Sequence, residues 1–448
     1  MQRHIRYAAA AIGLVATFSG CSSFLDANQA VADPNAPTVA TANQLLSGIE
    51  ANVFGQQEGP VAMLICEWMQ QCAGTAGRFV QVQGAYTITN NSFDGSFSSI
   101  YTAGGLLAVK DAEARVDAIP DKQYKGVLEV LETMQVLFGA DNWGSIPYRE
   151  AVVSTTPAFD PQLQIYDDLL TLLNQAITDL NGSGNGPGLN DLVYGGDKVK
   201  WIQAAHTLKA RIYLHLAEAR AGQYALARTE AQSGISAPAN DWKTVHSEAT
   251  SERNMWLQFQ LTSFGQDLVA GARLVGIMKT QSDPRLPDYF GTNTTGGYGG
   301  YDVATQQTVG EPSPISGSNR NVPTFSQPII TYDETQLILA ETAFRAGDIP
   351  NAALALNNVR SRYGKSVIAA PTLTDIMTEK YIALFQNIEA WNDYKRTCLP
   401  TLTPALGRSV VPGRIPYGFT EQQTNPNTPA DPGPTLITGR NANDPNAC

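Results

Sequence analysis

Apolar side chains recur at helical spacing along most of this chain, and the helices they imply come in pairs. Tyr124, Val127, Leu128, Leu131 and Phe138 fall on one face of a helix beginning near Asp121. Tyr166, Leu169, Leu173, Ile177 and Leu180 do the same after an Asp160-Pro161 start signal, and Trp201, Ala205, Leu208, Ile212 and Leu216 mark a third. Spacing of three and four residues puts side chains on one stripe of a helix, and that stripe must be buried against a neighbour. A shorter partner helix is expected over 222–234, after Gly222. Three more are expected over 332–346, 349–363 and 374–389, separated by Gly347-Asp348 and by Gly364 to Pro371. Short turns and alanine-rich helices suggest stacked hairpins of the tetratricopeptide (TPR) kind, although no clean repeat of about 34 residues is visible. Two stretches break the pattern. Residues 288–328 are rich in Gly, Thr, Ser, Pro and Tyr, and residues 400–448 in Pro, Thr and Asn. Irregular segments of that length in a compact domain are usually functional or disordered.

The N-terminus reads as an address. Basic Arg3 and Arg6 precede an uncharged run containing Ile12, Leu14, Val15 and Phe18, which ends in Ser19-Gly20-Cys21. This is the layout of a secretory signal over 1–20, too short and too alanine-rich for a good membrane span. A Cys directly after Ser-Gly is similar to a bacterial lipoprotein signal, in which that Cys is lipidated and becomes the first residue. The alternative is an ordinary signal cut nearby with Cys21 a plain thiol. Residues 22–40, small and polar with two prolines, read as an extended tether. The remainder, 21–448, reads as a single domain. No later segment is apolar for long enough to span a membrane.

Composition narrows the function. The formal charge is -11, and loss of the signal removes two arginines and no acid. Such a chain, without basic runs, is a poor nucleic-acid binder, and only a lipid would hold it to a membrane. Apart from Cys21, four cysteines remain. Proximity in sequence favours Cys66 with Cys72, and Cys398 with Cys448, as disulfides of an exported protein. No CxxC occurs and no His lies near a Cys, so no metal is expected. His206 and His215, nine apart on one helix, cannot share an ion as an i,i+4 pair would. HExxH, GxSxG and Walker motifs are absent, and no enzymatic activity is expected.

Four segments carry a family resemblance: FGADNWGSIPYREA from Phe138, KWIQAAHTLKARIYLHL from Lys200, TYDETQLILAETAFRAGDIPNAALALNNVRSRYG from Thr331, and EKYIALFQNIEAWNDYKRTCLP from Glu379, followed by RIPYGFTEQQTNPN. With Cys21-Ser-Ser-Phe-Leu-Asp they resemble the SusD/RagB family of outer-membrane nutrient-binding lipoproteins, in its SusD-like subgroup, from the lipobox to about residue 427. The resemblance implies a mostly α fold with about four TPR-like helix pairs, mainly within 101–220 and 330–396. These would pack against an irregular, loop-rich half, mainly 221–330 and 397–448. It also implies a cell-surface lipoprotein that delivers an oligosaccharide or other nutrient to a SusC-like TonB-dependent transporter. Gly418-Phe419, where the family often has a Pro after the Tyr, and the Cys66/Cys72 pair depart from the pattern.

Candidate ligand residues come from composition. The stretch 67–101 interleaves aromatics with amides and acids, and aromatic faces pack on sugar C–H faces while amides bond hydroxyls. Trp68, Gln71, Arg78, Phe79, Tyr86 and Asn91 are candidates there, and Tyr289, Tyr298 and Tyr301 in the glycine-rich stretch. Trp68, Phe93 and Tyr101 have the alternative of being core residues of flanking helices. Trp201, Trp391 and Tyr394 lie on periodic helices and read as core, and Lys395-Arg396 as partners of internal acids such as Glu389 or Asp393. The competing function is a TPR-like peptide-binding scaffold without glycan binding, whose groove would be lined by Asn, Lys and Arg on successive helices.

Cys21→Ser is expected to leave the protein soluble or unprocessed, because an acyl chain contributes about 0.8 kcal/mol per buried methylene that the acidic surface cannot replace. Membrane fractionation measures this, and a variant still wholly in the membrane pellet refutes the lipid anchor.

Overall fold

The computed structural model describes residues 40–430, 439–444 and 448, so the signal, Cys21 and the tether up to residue 39 lie outside the described residues. The folded unit is Ala42–Cys448. It opens with α1 (Ala42–Glu58) and α2 (Pro60–Trp68), followed by the short strand β1 (Cys72–Gly74) and a one-turn helix α3 (Asp94–Ser98). Then come α4 (Leu106–Asp117), α5 (Lys122–Trp143), α6 (Gln162–Leu180), α7 (Lys198–His215) and α8 (Gln223–Ala231). The middle of the chain is broken into small pieces: β2 (Trp242–Lys243), α9 (Met255–Gln260), β3 (Leu268–Ala270), α10 (Ala272–Thr280), α11 (Leu286–Tyr289), β4 (Gly300–Asp302), β5 (Gln307–Val309) and β6 (Pro328–Ile330). Helices resume with α12 (Tyr332–Arg345), α13 (Ile349–Arg362), α14 (Leu373–Ala383), α15 (Glu389–Thr397) and a late turn α16 (Phe419–Thr424).

Four helix pairs form the stack: α1 with α4, α5 with α6, α7 with α8, and α12 with α13. Each pair also touches the next, through α4–α5, α6–α7 and α8–α12. Their starts are chemically marked. Asp121, Asp197, Thr331 and Asp348 each accept a hydrogen bond from a first-turn amide, which satisfies a donor the helix cannot pair itself. The fold is therefore mostly α, with TPR-like hairpins beside an irregular half. That half holds three two-stranded antiparallel ribbons, β1–β3, β2–β6 and β4–β5.

Two expectations need correction. The helix expected over 374–389 is two helices, because the chain turns at Leu384–Ile388 with Gln386 in a left-handed conformation (φ 61°). The stretch 288–328 is not wholly irregular, since it contains the β4–β5 hairpin with Tyr301 opposite Thr308. Among its described residues, 400–430, 439–444 and 448, the Pro-rich C-terminal stretch has little regular structure, yet Val411, Ile415 and Tyr417 are buried. Indoles hold it down: Trp391 Nε1 donates to the Pro412 carbonyl (2.9 Å) and Trp143 Nε1 to that of Pro416 (2.8 Å). Disulfides join Cys66 to Cys72 and Cys398 to Cys448.

The helix α15 reads EAWNDYKRT and is mostly polar, yet eight of its nine residues are buried. A buried charge is tolerable only when paired and hydrogen-bonded. Arg396 pairs with Glu341 and Asp393, Lys380 with Asp393, and Lys395 donates to the Asp141 carbonyl (2.9 Å) while standing over the Trp391 ring. The His215 ring lies between Asp141 (3.1 Å) and Glu389 (2.9 Å).

Burial opposes a charged His215, but the Asp141 and Glu389 carboxylates outweigh it and raise its pKa from the ordinary 6.5 to about 9. The folded state thus holds the proton more tightly than the unfolded chain. The stabilisation is complete below about pH 6.5 and is lost as pH rises through about 9; at roughly 1.4 kcal/mol per unit it is on the order of 3 kcal/mol. Melting temperature should fall between pH 6 and pH 10 in the wild type, and fall less in His215→Gln. Equal falls in both proteins would place the pH dependence elsewhere.

Candidate functional site

Burial separates the candidate residues into two sets. Trp68, Gln71, Phe79, Tyr86 and Tyr289 are all at most 4% exposed, so none has a face free for a sugar. Trp68 packs edge-on against Tyr86 and Trp391, and its Nε1 donates to the Gln83 carbonyl. Phe79 meets Phe259, and Tyr289 stacks on Phe385 at 4.5 Å with its hydroxyl donating to the Ile382 carbonyl. Gln71 serves the chain break between α14 and α15. Its Nε2 donates to the carbonyls of Tyr381 and Leu384, and its Oε1 accepts from the Gln386 amide. Composition suggested ligand residues at these five positions; four are interior because the segment 67–86 begins on a helix and packs against Phe259 and Trp391, and Tyr289 because Phe385 covers its ring.

Arg78, Asn91, Tyr298 and Tyr301 remain at least partly exposed, but they do not form one cluster. Tyr301 lines a cleft of about 680 Å³, and Asn91 lines a separate one of about 360 Å³. Tyr298 is half-buried, and its carbonyl accepts from Lys279 Nζ on α10, the helix that forms the larger cleft's floor. Arg78 lies over the Phe79 ring and lines neither cleft.

The larger cleft is assembled from five parts of the chain. The exposed stripe of α10 supplies Arg273, Gly276, Ile277 and Thr280, and the β4–β5 hairpin supplies Tyr301, Asp302, Val303 and Val309. The first turns of α14 add Thr374 and Thr378, and the segment after α15 adds Pro400, Thr401 and Thr403. Gln70 closes the wall, with its Nε2 donating to the Thr403 carbonyl (2.5 Å). One half-buried tyrosine, several hydroxyls, two amides, a guanidinium and a carboxylate surround modest aliphatic surface. Such a lining offers an aromatic face and aliphatic carbons to apolar groups, and hydroxyls, amides and single charges of each sign to polar ones.

Local constraints explain why these parts meet. The Cys66–Cys72 bridge closes a tight loop that holds Gln70 in a left-handed conformation (φ 56°). β1 leaves this loop and pairs with β3, which runs straight into α10. At the junction the backbone comes very close: a Cβ on Gly271 would sit 2.1 Å from the Gln70 carbonyl oxygen, and one on Gly300 2.5 Å from the Ala272 amide. Only glycine lets the hairpin and the loop approach the start of α10 at both points. Behind the loop, Glu67 has no hydrogen-bond partner on either oxygen, and burial pushes its pKa well above the carboxylate range.

Among the described residues, Asp141, His215 and Glu389 form a group whose ligand atoms lie within 4.8 Å of one another. Each of the three is engaged in an ion pair. The group's atoms are already matched within the protein: the imidazole lies between the two carboxylates, and Arg211 stands 3.6 Å from Glu389. Sequence reading missed Gln70, Arg273, Asp302, Thr374 and Thr403 as cleft residues. The i, i+3, i+7 stripe Arg273, Gly276, Thr280 and the i, i+4 pair Thr374, Thr378 were the available signals.

Residues 34–418 match a family profile, SusD-like_2, described as starch-binding and associating with the outer membrane. No curated protein sequence matches the chain. Solved structures do. A SusD/RagB family protein from Bacteroides thetaiotaomicron superimposes with a TM-score of 0.71 at 19% identity, over 87% of this chain and 95% of that one. A protein described as chitin-binding gives 0.72 at 20% identity, over 90% and 100%. A chitin-binding SusD homolog from Flavobacterium johnsoniae gives 0.68 at 19% identity, over 86% and 93%. At these identities the structural likeness is one of fold.

Trp68→Ala should cost about 3–5 kcal/mol by removing a packed indole, whereas Tyr298→Ala and Tyr301→Ala should each cost about 1 kcal/mol or less. Urea denaturation reads the difference. A Trp68→Ala protein as stable as wild type would return that indole to the surface.

Proposed function

The chain belongs to the SusD-like family, and on that premise we propose that it is a surface lipoprotein, anchored through Cys21 to the outer membrane, that captures an oligosaccharide and passes it to a TonB-dependent transporter of the SusC type. It binds and does not catalyse. The observation that carries the reading is the open cleft of about 680 Å³ between α10, the β4–β5 hairpin, the start of α14 and the 400–403 segment. Its hydroxyl, amide and tyrosine lining supports a glycan ligand, and the chitin-binding proteins of the same fold make a β-linked aminosugar chain the first ligand to try. The family description makes a starch fragment the second.

A protein that feeds a transporter must release what it captures. Binding in the micromolar to millimolar range is expected, about -8 to -4 kcal/mol. Stacking on Tyr301 should supply about 1 kcal/mol of that. Titration calorimetry with chito- and malto-oligosaccharides should give heat with at least one series. Tyr301→Ala should weaken that binding roughly fivefold, the equivalent of about 1 kcal/mol, with little change in melting temperature. Unchanged affinity in both Tyr301→Ala and Arg273→Ala would remove the ligand from this cleft.

A further inference from the structure

The larger cleft exposes polar groups that the protein itself leaves unused. Acids outnumber bases in this chain, 41 to 30, so an arginine readily finds a partner. Among the described residues, every arginine except Arg78 and Arg273 makes a hydrogen bond or an ion pair. Arg78 lies over the Phe79 ring. Arg273 has no such contact; it stands exposed on the first turn of α10 and lines the cleft. Four threonines of the other walls are in the same condition. The hydroxyls of Thr374, Thr378, Thr401 and Thr403 make no hydrogen bond among the described residues. By contrast, Thr280 Oγ1 donates to the Gly276 carbonyl (2.9 Å), and Gln281 Oε1 accepts from Lys365 (2.9 Å). The one acid of the lining, Asp302, does not pair with Arg273, and its Oδ1 accepts from the Ala304 amide (2.8 Å). The free groups are therefore rich in donors: a guanidinium, which can only donate, and four hydroxyls, which can donate or accept.

We propose that the oligosaccharide held in this cleft carries a carboxylate, as a uronic-acid unit, and that Arg273 is the residue that recognises it. The inference rests on the glycan reading of the cleft and names the class of sugar. A guanidinium presents two N–H groups in a planar fork that matches the two oxygens of a carboxylate, and the charges make each bond stronger than one between neutral groups. The threonine hydroxyls are left to serve the remaining lone pairs and the sugar hydroxyls. Tyr301 forms a backbone bridge with Gly271, two residues before Arg273, so the aromatic face and the guanidinium belong to the same end of the cleft. Thr280 lies seven residues further along α10, about 10 Å by helix rise, which leaves the rest of the cleft to neutral units of the same chain. The net negative charge of the protein opposes an acidic ligand at long range, but salt screens that repulsion beyond about 10 Å, whereas the contact with Arg273 is short.

Titration calorimetry with trimers of galacturonate, mannuronate and glucuronate tests this, each beside its methyl ester, which keeps the rings and the length and loses the charge. At least one acid should bind about fivefold tighter than its ester, and high salt should shrink the difference. Arg273→Gln should abolish the difference while the ester binds as before. Arg273→Lys, which keeps the charge without the fork, should restore part of it. Because Arg273 is exposed and bonds to nothing in the protein, both variants should melt as wild type does. Equal binding of acid and ester, or a difference that survives in Arg273→Gln, overturns the inference; the glycan reading stands if Tyr301→Ala still weakens both. Binding of neutral chito- or malto-oligosaccharides with none of the acids bound also overturns the carboxylate and keeps the cleft. Absence of binding by every probe overturns the two together.

Discussion

A short charged helix buried in the interior sets the terms for the rest of this structure. Glu389–Thr397 could not be placed there by hydrophobicity, and it is there because partners wait for its charges on four other helices. Arg211 of α7 holds Glu334 of α12 at 2.7 Å and reaches Glu389 at 3.6 Å. His215 joins Glu389 to Asp141 of α5, and Arg396 joins α15 to Glu341 of α12. Glu389 and Glu341 are both held below the usual carboxylate range. Burial works against them, but His215 and Arg211 prevail at Glu389 and Arg396 at Glu341. A hydrophobic helix could slide along the stack at little cost. A helix whose charges are matched one by one has a single register, because a slip of one residue strands several buried charges at once.

That register carries to the cleft. The turn between α14 and α15 leaves backbone groups that no helix satisfies, and Gln71, distant in sequence, satisfies them. Gln71 is fixed by the Cys66–Cys72 loop, and the same loop aims Gln70 at Thr403. The start of α14 and the chain after α15 therefore face α10 and the β4–β5 hairpin in one arrangement. The cleft walls come from residues 70 to 403, so the site exists only when the whole unit has folded.

Helices were legible in the sequence where one face is apolar and the other polar. The starts at Asp121, Asp197, Thr331 and Asp348 carry explicit capping chemistry, and the intervals between them are paired by short turns. α1 and α2 were not expected. Glu50, Gln56, Gln57 and Glu58 are buried on α1 beside its apolar residues, which blurs the stripe that periodicity looks for. The same blur carried the helix expected over 374–389 past its end at Ala383. The interior aromatics failed for another reason. Trp68, Phe79 and Tyr86 alternate with Gln and Gly, a composition common to glycan loops and to irregular cores, and the two differ only in what covers the rings. What covers Trp68 is Trp391, distant in sequence and brought there by α15.

The chemistry of the larger cleft argues for exchange over retention. Its one aromatic is half-buried, and its hydroxyls stand on helix starts and a loop rather than on a closed pocket, so water reaches most of them. A sugar hydroxyl that replaces such a water exchanges one hydrogen bond for another of similar strength, and the net gain per contact is small. Affinity then comes from many modest contacts along a chain of sugars and falls as the chain is shortened or withdrawn unit by unit. A deep, dry site would hold a single ring firmly, but it would have to break all its contacts together to let go. The open wall between the hairpin and the 400–403 segment has no such barrier.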